Sequence, residues 1–443
     1  MLFQFLKYIT PIHYFNLPRK DGSTIFPLWQ KLPDKIKKQI SLDQQYSSSI
    51  SAVKDAGFRA IHQGYIDNSP TLGFEGKISL KDEYRFVRKY FNPLWSYYIL
   101  FIRLLSFHNP VKEIGAFIKT RKIKRLNIYQ HPVTYHGWKN FKSKLLQQQP
   151  KVSVIIPTLN RYEYLKDVLH DLEKQDYQNF DVIIIDQSDN FNKDFYSNFH
   201  LNLHVIRQKE KALWLARNTA IKQSDAPFVL LFDDDSRVEK DWISNHLKAL
   251  DFFQADISSG VSLSVIGAKI PETYRYFKIS DQIDTGNVMI NKNKVFPITG
   301  LFDRQFEKQR MGDGEFGLRA YLHGFLNISN PEAKRIHLKV GTGGLREMGS
   351  WDAVRPTKWF DPRPIPSVLY YYRKYYGTRL TIYALLKTVP PSLLPYKFKR
   401  NKLVMGLGFI LIFLILPVVL FQVIKSWHLA TKKLQEGDKI DRL

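Results

Sequence analysis

The chain has 443 residues, 44% of them hydrophobic, which predicts two or three domains with sizeable cores. It carries 66 Lys and Arg against 41 Asp and Glu, a formal charge of +25 that indicates a polyanionic neighbour: nucleic acid, an anionic membrane face or phosphorylated substrates. The absence of cysteine excludes disulfides and cysteine-ligated zinc.

Residues 1–150 form a basic, aromatic N-terminal region with 24 Lys and Arg against 9 Asp and Glu. Its first residues lack the long apolar run and cleavage site of a secretory signal, so we expect an interfacial or packed segment. The apolar stretch 93–107 is interrupted by Arg103 and is short for a bilayer span. It predicts either an amphipathic helix on a membrane surface or a core helix with a solvated basic face. Membrane-surface and acceptor-binding roles for the whole region are both open.

From residue 151 onward, short apolar runs alternate with segments of helical periodicity, which predicts an α/β domain over 151–350. Such alternation is typical of a doubly wound, mostly parallel sheet, in which ligands bind beyond the carboxyl ends of the strands. We therefore expect the site at that edge of the sheet. In chain order the segments are VSVIIP (strand), EYLKDVLHDLEKQ (helix), DVIIID (strand), LHVIR (strand), LWLARNTAIKQS (helix) and PFVLLFDDD (strand).

The C-terminal part divides by composition into three segments. Residues 351–402 are rich in Tyr, Lys and Arg, as an interfacial segment at lipid headgroups would be. Residues 403–424 are 22 positions without charge, which predicts a transmembrane helix; a buried soluble helix is the alternative. Residues 425–443 would then be a short tail. Cations are denser before the apolar run than after it, so we expect a membrane-associated chain whose α/β domain faces the cytoplasm.

Three consecutive carboxylates, Asp233, Asp234 and Asp235, follow the last predicted strand. Placed together they repel one another unless something positive lies between them. Mn²⁺ and Mg²⁺ prefer carboxylate oxygens together with substrate phosphates. Side chains at i and i+2 of an extended segment point the same way, so Asp233 and Asp235 are expected to share one ion. The alternative is an N-cap cluster for a helix that begins near 239–242.

Several ordered blocks of the chain resemble the catalytic domain of glycosyltransferase family 2, over about 151–350. The resemblance implies the GT-A fold, an inverting transfer, and a nucleotide-sugar donor, with a UDP-sugar favoured. It also implies a divalent cation, Mn²⁺ or Mg²⁺, at the D-x-D acids. The blocks are VSVIIPTLNR, DVIIIDQSDN, ARNTAI, VLLFDDDSR, GLFDRQFEKQRMGDGEFGLRAYLHG and IHLKVGTGGLR.

The same resemblance assigns roles residue by residue. It implies that the first strand-end loop contacts the nucleotide, that the acids after the second strand contact its base, and that the Arg of the ARN block approaches the donor. It further implies that the D-x-D acids bind ribose and metal and that a histidine is a third metal ligand. Apart from the resemblance, the glycine-rich segment 341–346 predicts a mobile lid whose final Arg contacts the diphosphate. These roles fall on Pro157, Thr158 and Asn160; Asp186 and Asp189; Arg217; Asp233, Asp234 and Asp235; His337; and Arg346.

The last two of these assignments each have a structural alternative. His337 is equally consistent with an ordinary strand-end residue, and residues 341–346 with a surface turn. We interpret Trp214, beside the donor block, as a core residue.

The resemblance places the catalytic base on Asp313, in the block GDGE. A carboxylate within hydrogen-bond reach of an acceptor hydroxyl can take its proton as that hydroxyl attacks the sugar. The family commonly has Glu-Asp where this chain has Gly312-Asp313, which leaves Glu315 as an alternative base. The structural alternative for Asp313 is an N-cap of the helix that follows.

The sequence thus predicts an inverting, metal-dependent glycosyltransferase that moves one sugar to a hydroxyl of a glycan or lipid-linked acceptor in surface polysaccharide synthesis. The chain has no Q-x-x-R-W block, which argues against a processive synthase. Two alternatives stay open: a polyprenyl-phosphate glycosyltransferase, and a non-catalytic scaffold that binds nucleotide sugars. No nucleic-acid motif accompanies the positive charge, so we expect no nucleic-acid partner.

Overall fold

The computed structural model describes residues 1–69, 71–72, 76–265, 269–341, 353–356, 358–393 and 402–443, with no account of the side chains of 402–414. The chain divides into two compact units. Unit 1 comprises Met1–Thr134 and Tyr376–Lys387, and unit 2 comprises Tyr135–Tyr375 and Thr388–Leu443. The domain boundaries expected from the sequence stay predictions.

Unit 1 is mainly helical in its described residues, with a single two-stranded ladder. The helices that begin at residues 49 and 80 have serine caps, since Ser48 Oγ accepts from Ser51 N and Ser79 Oγ accepts from Asp82 N. The elements are α1 (Leu6–Ile9), β1 (Ser23–Thr24), α2 (Asp34–Gln39), α3 (Ser49–His62), β2 (Thr71–Leu72), α4 (Leu80–Tyr90), α5 (Leu94–Leu105) and α6 (Pro110–Lys119).

The first residues of the chain are packed into unit 1. Phe3, Phe5 and Tyr8 are buried. The carboxylate of Glu83 accepts hydrogen bonds from the backbone N–H groups of Gln4 and Phe5, at 2.9 and 3.0 Å, so the segment is held by its backbone as well as by its rings. Of the two expectations for this segment, the packed one is confirmed.

Unit 2 contains the α/β domain and the C-terminal helices, except that the middle of the helix Pro366–Ser392 belongs to unit 1. Its early elements coincide with the predicted segments, because long buried apolar runs and helical periodicity are strong sequence signals. The elements are α7 (Lys144–Gln148), β3 (Val152–Thr158), α8 (Tyr162–Glu173), β4 (Phe180–Asp186), β5 (Leu203–Arg207), α9 (Leu213–Gln223), β6 (Phe228–Phe232), β7 (Ser236–Val238), α10 (Trp242–Phe253), β8 (Ile257–Ser264), β9 (Lys278–Ile279), β10 (Asn287–Asn291), α11 (Lys292–Thr299), α12 (Gly312–Leu322), β11 (Asn327–His337), α13 (Pro366–Ser392) and α14 (Lys402–Glu436).

The described strands of unit 2 form one nine-stranded sheet in the order β5-β4-β3-β6-β10-β8-β11-β7, with β9 paired to β11. The four strands predicted from the sequence, β3, β4, β5 and β6, run parallel to one another. The other half is mixed, because β10 runs antiparallel to both β6 and β8. The expectation of a mostly parallel sheet is therefore correct only for the first half. The second half lacks the regular strand–helix alternation on which that expectation rested.

Helices cover the sheet and close its core. Buried residues of β3, β4 and β6 pack with the apolar faces of α8 and α10, including Leu165, Leu169, Trp242 and Leu247. A rigid sheet covered in this way fixes the positions of the loops that leave the strand ends, and those loops carry the polar residues considered below.

The C-terminal helices differ from the expected segments. In α13, Val368, Leu369 and Tyr370 are buried. Packing inside the protein therefore accounts for the apolar and tyrosine side chains at the start of this helix. The interfacial role expected for 351–402 stays a prediction. The helix is interrupted at Gly377, whose φ of 71° is a conformation that glycine adopts without strain.

The predicted transmembrane helix over 403–424 lies within α14, which continues to Glu436. The part after residue 418 docks on the protein through polar groups: Gln422 Nε2 donates to the carbonyl of Trp359, and Ser426 Oγ donates to that of Pro364. In the part of the chain that the structure describes, no helix combines the length and the hydropathy of a bilayer span. The first half of the predicted span has its side chains outside the described residues, so the structure lends the span no support.

Candidate active site

The strand ends of the parallel half gather the predicted polar residues at one edge of the sheet. Register pairs Thr158, the last residue of β3, with Asp186, the last residue of β4. The strand β6 lies beside β3 and ends at Phe232, so Asp233, Asp234 and Asp235 begin where the ladder stops. This is the carboxyl edge that the sequence predicted.

Asp233 is held between two buried arginines. Arg217 Nη2 donates to its Oδ1 over 3.1 Å, and Arg335 Nη1 donates to its Oδ2 over 2.7 Å. Burial alone would raise the pKa of Asp233, but the positive charges of Arg335 and Arg217 outweigh it and hold that pKa well below its usual range. Asp233 is therefore ionised, and guanidinium groups supply part of the positive charge that three neighbouring carboxylates require.

Arg335 is the centre of this network. Its Nε donates to Ser262 Oγ over 2.7 Å, and its Nη2 donates to both carboxylate oxygens of Asp284, each over 3.0 Å. The close approach of Arg335 to Asp233 depends on Gly286, because a Cβ there would overlap both groups.

Asp234 turns away from Asp233 and binds to the first strand-end loop. Thr158 Oγ1 donates to its Oδ2 over 2.8 Å, and Arg161 Nη1 donates to its Oδ1 over 3.0 Å. Burial raises the pKa of Asp234 to about 6, and the charge of Asp235 acts in the same direction, while Arg161 opposes it. Asp234 thus links two loops of the site.

Asp235 and His337 are brought together by strand pairing. The antiparallel ladder of β7 and β11 pairs Ser236 with His337, so the residue before Ser236 lies beside the imidazole, and His337 Nε2 is 3.3 Å from Asp235 Oδ1. One ligand atom each from Asp233, Asp235 and His337 lies within 4.8 Å of the others. The N-cap alternative for the aspartates is wrong, because β7 separates them from α10, which begins at Trp242.

This group of three side chains fits a divalent cation. Two carboxylates and one imidazole are ligands that first-row divalent ions accept. The Oδ2 of Asp235 is buried and accepts no hydrogen bond, although it lies 3.3 Å from Arg161 Nη1. A buried carboxylate oxygen without a hydrogen bond is one for which a cation would be a partner.

Asp313 and Glu315 have different surroundings although both lie in the first turn of α12. Asp313 is half-buried, and its Oδ1 accepts from Gly314 N over 2.9 Å. Burial raises the pKa of Asp313, and the charge of Asp284 acts in the same direction. Glu315 is fully buried and accepts from Arg319 Nε and Nη2 at 3.0 and 2.9 Å.

The helix that carries these two acids is capped at Met311 and not at Asp313, so the N-cap alternative for Asp313 is wrong. Because the side chain of Glu315 is engaged inside the protein, Asp313 is the acid of this pair that is available to a substrate.

Trp214 lies between the core and the site. Its side chain is buried, and its Nε1 donates to the carbonyl of Phe306 over 3.1 Å, as expected for a core residue. The indole also packs so closely on Gly312 that a Cβ there would overlap the ring. The Gly-Asp pair that departs from the commoner Glu-Asp thus makes room for this tryptophan.

A cavity of about 220 Å³ joins these groups. It contains seven of the predicted site residues, and Trp214 lines it as well. The predicted residues in its lining are Pro157, Arg217, Asp233, Asp234, Asp235, Asp313 and His337.

Four predicted residues are not among the lining residues of the cavity. Thr158 reaches it only through Asp234. Asp186 is fully buried, where Tyr196 Oη and Ser188 N donate to it, each over 2.8 Å. Asn160 and Asp189 bind one another at the surface, and Lys211 pairs with Asp189 over 2.6 Å. The predicted lid residue Arg346 lies outside the described residues.

The sequence analysis missed four charged residues that line the cavity: Arg161, Asp284, Arg310 and Arg335. The position of Arg335 could have been inferred from the sequence. It stands two positions before His337 on one strand, so the two side chains share a face of that strand. Arg161 follows directly on the first strand-end block. Asp284 lies between strands and carried no such signal.

Part of the chain is similar in sequence to known glycosyltransferases. Residues 153–310 match the sequence model described as "Glycosyl transferase family 2". Glycosyltransferase GlyA of Streptococcus pneumoniae serotype 4 is 26% identical over 168 residues, which are 36% of this chain and 22% of that protein. The poly(ribitol-phosphate) beta-N-acetylglucosaminyltransferase TarS of Staphylococcus aureus is 24% identical over 188 residues, 39% of this chain and 33% of that protein. The solved structure of S. aureus TarS 1-349 with UDP-GlcNAc has 17% identity and a TM-score of 0.42, covering 65% of this chain and 92% of that one.

The mixed sheet, with acidic residues at the ends of its parallel strands, fits the GT-A fold that the resemblance implied. Residues 153–310 match glycosyltransferase family 2, so the resemblance found in the sequence is confirmed over this part of the chain. The match ends at residue 310, so Asp313 and His337 lie beyond it. The chain spans a third or less of the length of GlyA and TarS.

Proposed function

We propose that this protein moves one sugar from a nucleotide-sugar donor to a hydroxyl of its acceptor, with inversion at the anomeric carbon. One observation carries the proposal: the group formed by Asp233, Asp235 and His337 and the carboxylate of Asp313 line the same cavity. The first group suits a diphosphate with its cation, and the second suits a hydroxyl that must lose a proton.

Asp233, Asp235 and His337 would hold a divalent cation. The mixture of carboxylate and imidazole favours Mn²⁺ over Mg²⁺, which prefers an all-oxygen octahedron. Such an ion supplies positive charge at the diphosphate that leaves as the sugar is transferred. Arg335 and Arg217 position Asp233 for this role, since each donates to one of its carboxylate oxygens.

Asp313 acts as the base in this proposal. It accepts the proton from the acceptor hydroxyl as that oxygen attacks the anomeric carbon from the face opposite the diphosphate. Burial raises the pKa of Asp313 from its usual range toward the working pH, which suits a group that must accept a proton. Glu315 stays in its ion pair with Arg319 and keeps the first turn of α12 in place.

For the substrates, we propose a UDP-sugar donor and a surface-glycan or lipid-linked acceptor. The likeness to TarS, which is named for its action on poly(ribitol phosphate), supports an acceptor of this class. The positive charge of the basic N-terminal region supports attachment to the cytoplasmic face of a membrane.

The test is a panel of nucleotide sugars assayed with Mn²⁺ and with Mg²⁺. We expect slow hydrolysis of a single UDP-sugar by the wild type, greater with Mn²⁺, and its transfer when a glycan or lipid-linked acceptor is added. Asp313→Asn should bind the donor and lose transfer by about 10²–10⁴-fold. A wild-type chain that binds nucleotide sugars but neither hydrolyses nor transfers any of them would contradict the proposal and point to a scaffold.

A further inference from the structure

Unit 1 presents a helical hairpin, α5 and α6, whose inner face is packed. Ile99 of α5 and Ala116 of α6 are buried in one apolar cluster with Phe5, Tyr8 and Tyr84. The two helices lie side by side, since the rings of Tyr97 and Phe117 meet at a centroid distance of 4.9 Å.

The outer face of the same hairpin is apolar and exposed. Its residues recur every three or four positions in each helix, which places them on one side of the helix. The turn between the helices carries Phe107, whose side chain is 96% exposed, and Val111 at the start of α6 is 79% exposed. The exposed apolar residues of the hairpin are Leu94, Tyr97, Phe101, Leu105, Phe107, Val111, Ile114 and Ile118. Apolar surface of this kind on a protein marks a site of association.

The charge around this face has one sign. Residues 92–130 contain a single acidic residue, Glu113, which is buried in an ion pair with Arg103. The same stretch exposes Lys and Arg beside the apolar row and in the segment that follows α6. These cations are Lys112, Lys119, Arg121, Lys122, Lys124 and Arg125.

The apolar row, together with the exposed cations of residues 92–130, indicates what kind of partner this face binds. A second copy of the chain would bring two sets of these cations together, which is unfavourable. A bilayer with anionic lipids offers acyl chains to the apolar residues and negative headgroups to the lysines and arginines. The aromatic residues Tyr97, Phe101 and Phe107 suit the headgroup boundary.

We propose that the outer face of the α5–α6 hairpin docks on a membrane surface that contains anionic lipid, with both helices lying in the plane of the interface. This docking is independent of the transferase site, since all of its residues belong to unit 1.

The absence of cysteine from the chain allows a local test on the full-length protein. Phe107→Cys, labelled with an environment-sensitive fluorophore, is mixed with vesicles of phosphatidylcholine alone or with phosphatidylglycerol. We expect a blue shift on the anionic vesicles only, and quenching by lipids with a nitroxide on the acyl chain. Asp34→Cys, whose native side chain is 90% exposed in unit 1, is the control and should stay in water.

One result would overturn the proposal: the chain binds the vesicles, but the label at position 107 remains in water. Another segment, such as 403–424, would then hold the protein on the membrane. A chain that binds no anionic vesicle would overturn it as well, and would leave the face to a protein partner.

A second test addresses the charges. Lys122→Glu with Lys124→Glu should weaken binding to anionic vesicles by roughly tenfold or more, and salt should weaken the binding of the wild type. Lys35→Glu with Lys38→Glu changes two exposed lysines of α2 by the same charge and should have a small effect. Equal losses in the two pairs would show an effect of net charge alone and would contradict docking by this face.

Discussion

Arg335 Nη1 lies 2.7 Å from Asp233 Oδ2, where it balances the charge of a carboxylate that the sequence analysis assigned to the ribose and to a metal ion. The arginine is 3% exposed at its side chain and also pairs with Asp284, so it is a fixed part of the site. Its planar guanidinium can reach Asp233, Ser262 and Asp284 together, which a lysine ammonium cannot do.

The first prediction concerns this pair. Arg335→Gln leaves Asp233 with one cationic partner, and we expect the free energy of unfolding to fall by about 3–5 kcal/mol, the usual cost of breaking a buried ion pair. Arg335→Lys should recover part of that loss, but not donor turnover. Chemical denaturation and donor hydrolysis are the measurements. Lys334→Gln, an exposed neighbour on the same strand, is the control, and equal effects at 334 and 335 would refute a specific role.

The second prediction concerns the contact between Gly312 and Trp214. Gly312→Ala places a Cβ in the indole ring, so we expect a loss of roughly 1–3 kcal/mol of stability and a lower rate of transfer. Trp214→Leu should relieve the overlap, so that a double-mutant cycle shows coupling between the two positions.

The matched control for that prediction is Gly115→Ala in α6, where a Cβ meets open space. This change should stabilise by about 0.5–1 kcal/mol, since alanine is the better helix former. Additive effects of Gly312→Ala and Trp214→Leu would show that the two residues do not press on one another.

The third prediction is a pH profile. Burial raises the pKa of Asp313 above the ordinary 3.8, and only the ionised carboxylate can accept a proton. The transfer rate should therefore rise with pH through this raised pKa and level off above it. Measurement of kcat/KM of the wild type against pH would show this rise, the acidic limb of the profile.

Two variants decide which acid the limb belongs to. Asp313→Asn should remove the limb together with most of the rate. Glu315→Gln should keep the limb but lower the melting temperature, because it breaks the pair with Arg319. A limb that survives in Asp313→Asn and vanishes in Glu315→Gln would assign the base to Glu315.

The fourth prediction is the response to metal removal. A chelator should abolish donor hydrolysis, and Mn²⁺ should restore more of it than Mg²⁺, because His337 supplies a nitrogen ligand. His337→Gln should lessen the preference for Mn²⁺. Unchanged hydrolysis in the chelator would show that Arg335 and its neighbours supply all the positive charge that the reaction needs.

The sequence contained much of this fold and part of this site. Buried strands such as the one that ends at Phe232 can be predicted, because local packing sets the length and period of their apolar runs. The position of the acids after these strands follows from the parallel topology. The second half of the sheet could not be predicted, because β10 pairs with β6 and β8, which are distant in the sequence.

The parts of the site that sequence reasoning missed depend on tertiary contacts. Nothing near Gly286 in the sequence indicates that Asp233 and Arg335 meet over it. Asp186 is the reverse case: its position after a strand suggested a ligand contact, whereas Tyr162 and Tyr196 donate to its carboxylate inside the protein.

The central claim is that the cavity holds the donor through Asp235 and its neighbours and activates the acceptor through Asp313. The most direct test is equilibrium binding of UDP in the presence of Mn²⁺, measured by calorimetry for the wild type, Asp235→Asn and Asp313→Asn. The account predicts that Asp313→Asn binds UDP as the wild type does, and that Asp235→Asn loses at least tenfold in affinity, about 1.4 kcal/mol. Wild-type affinity in a folded Asp235→Asn would place the nucleotide elsewhere and contradict it.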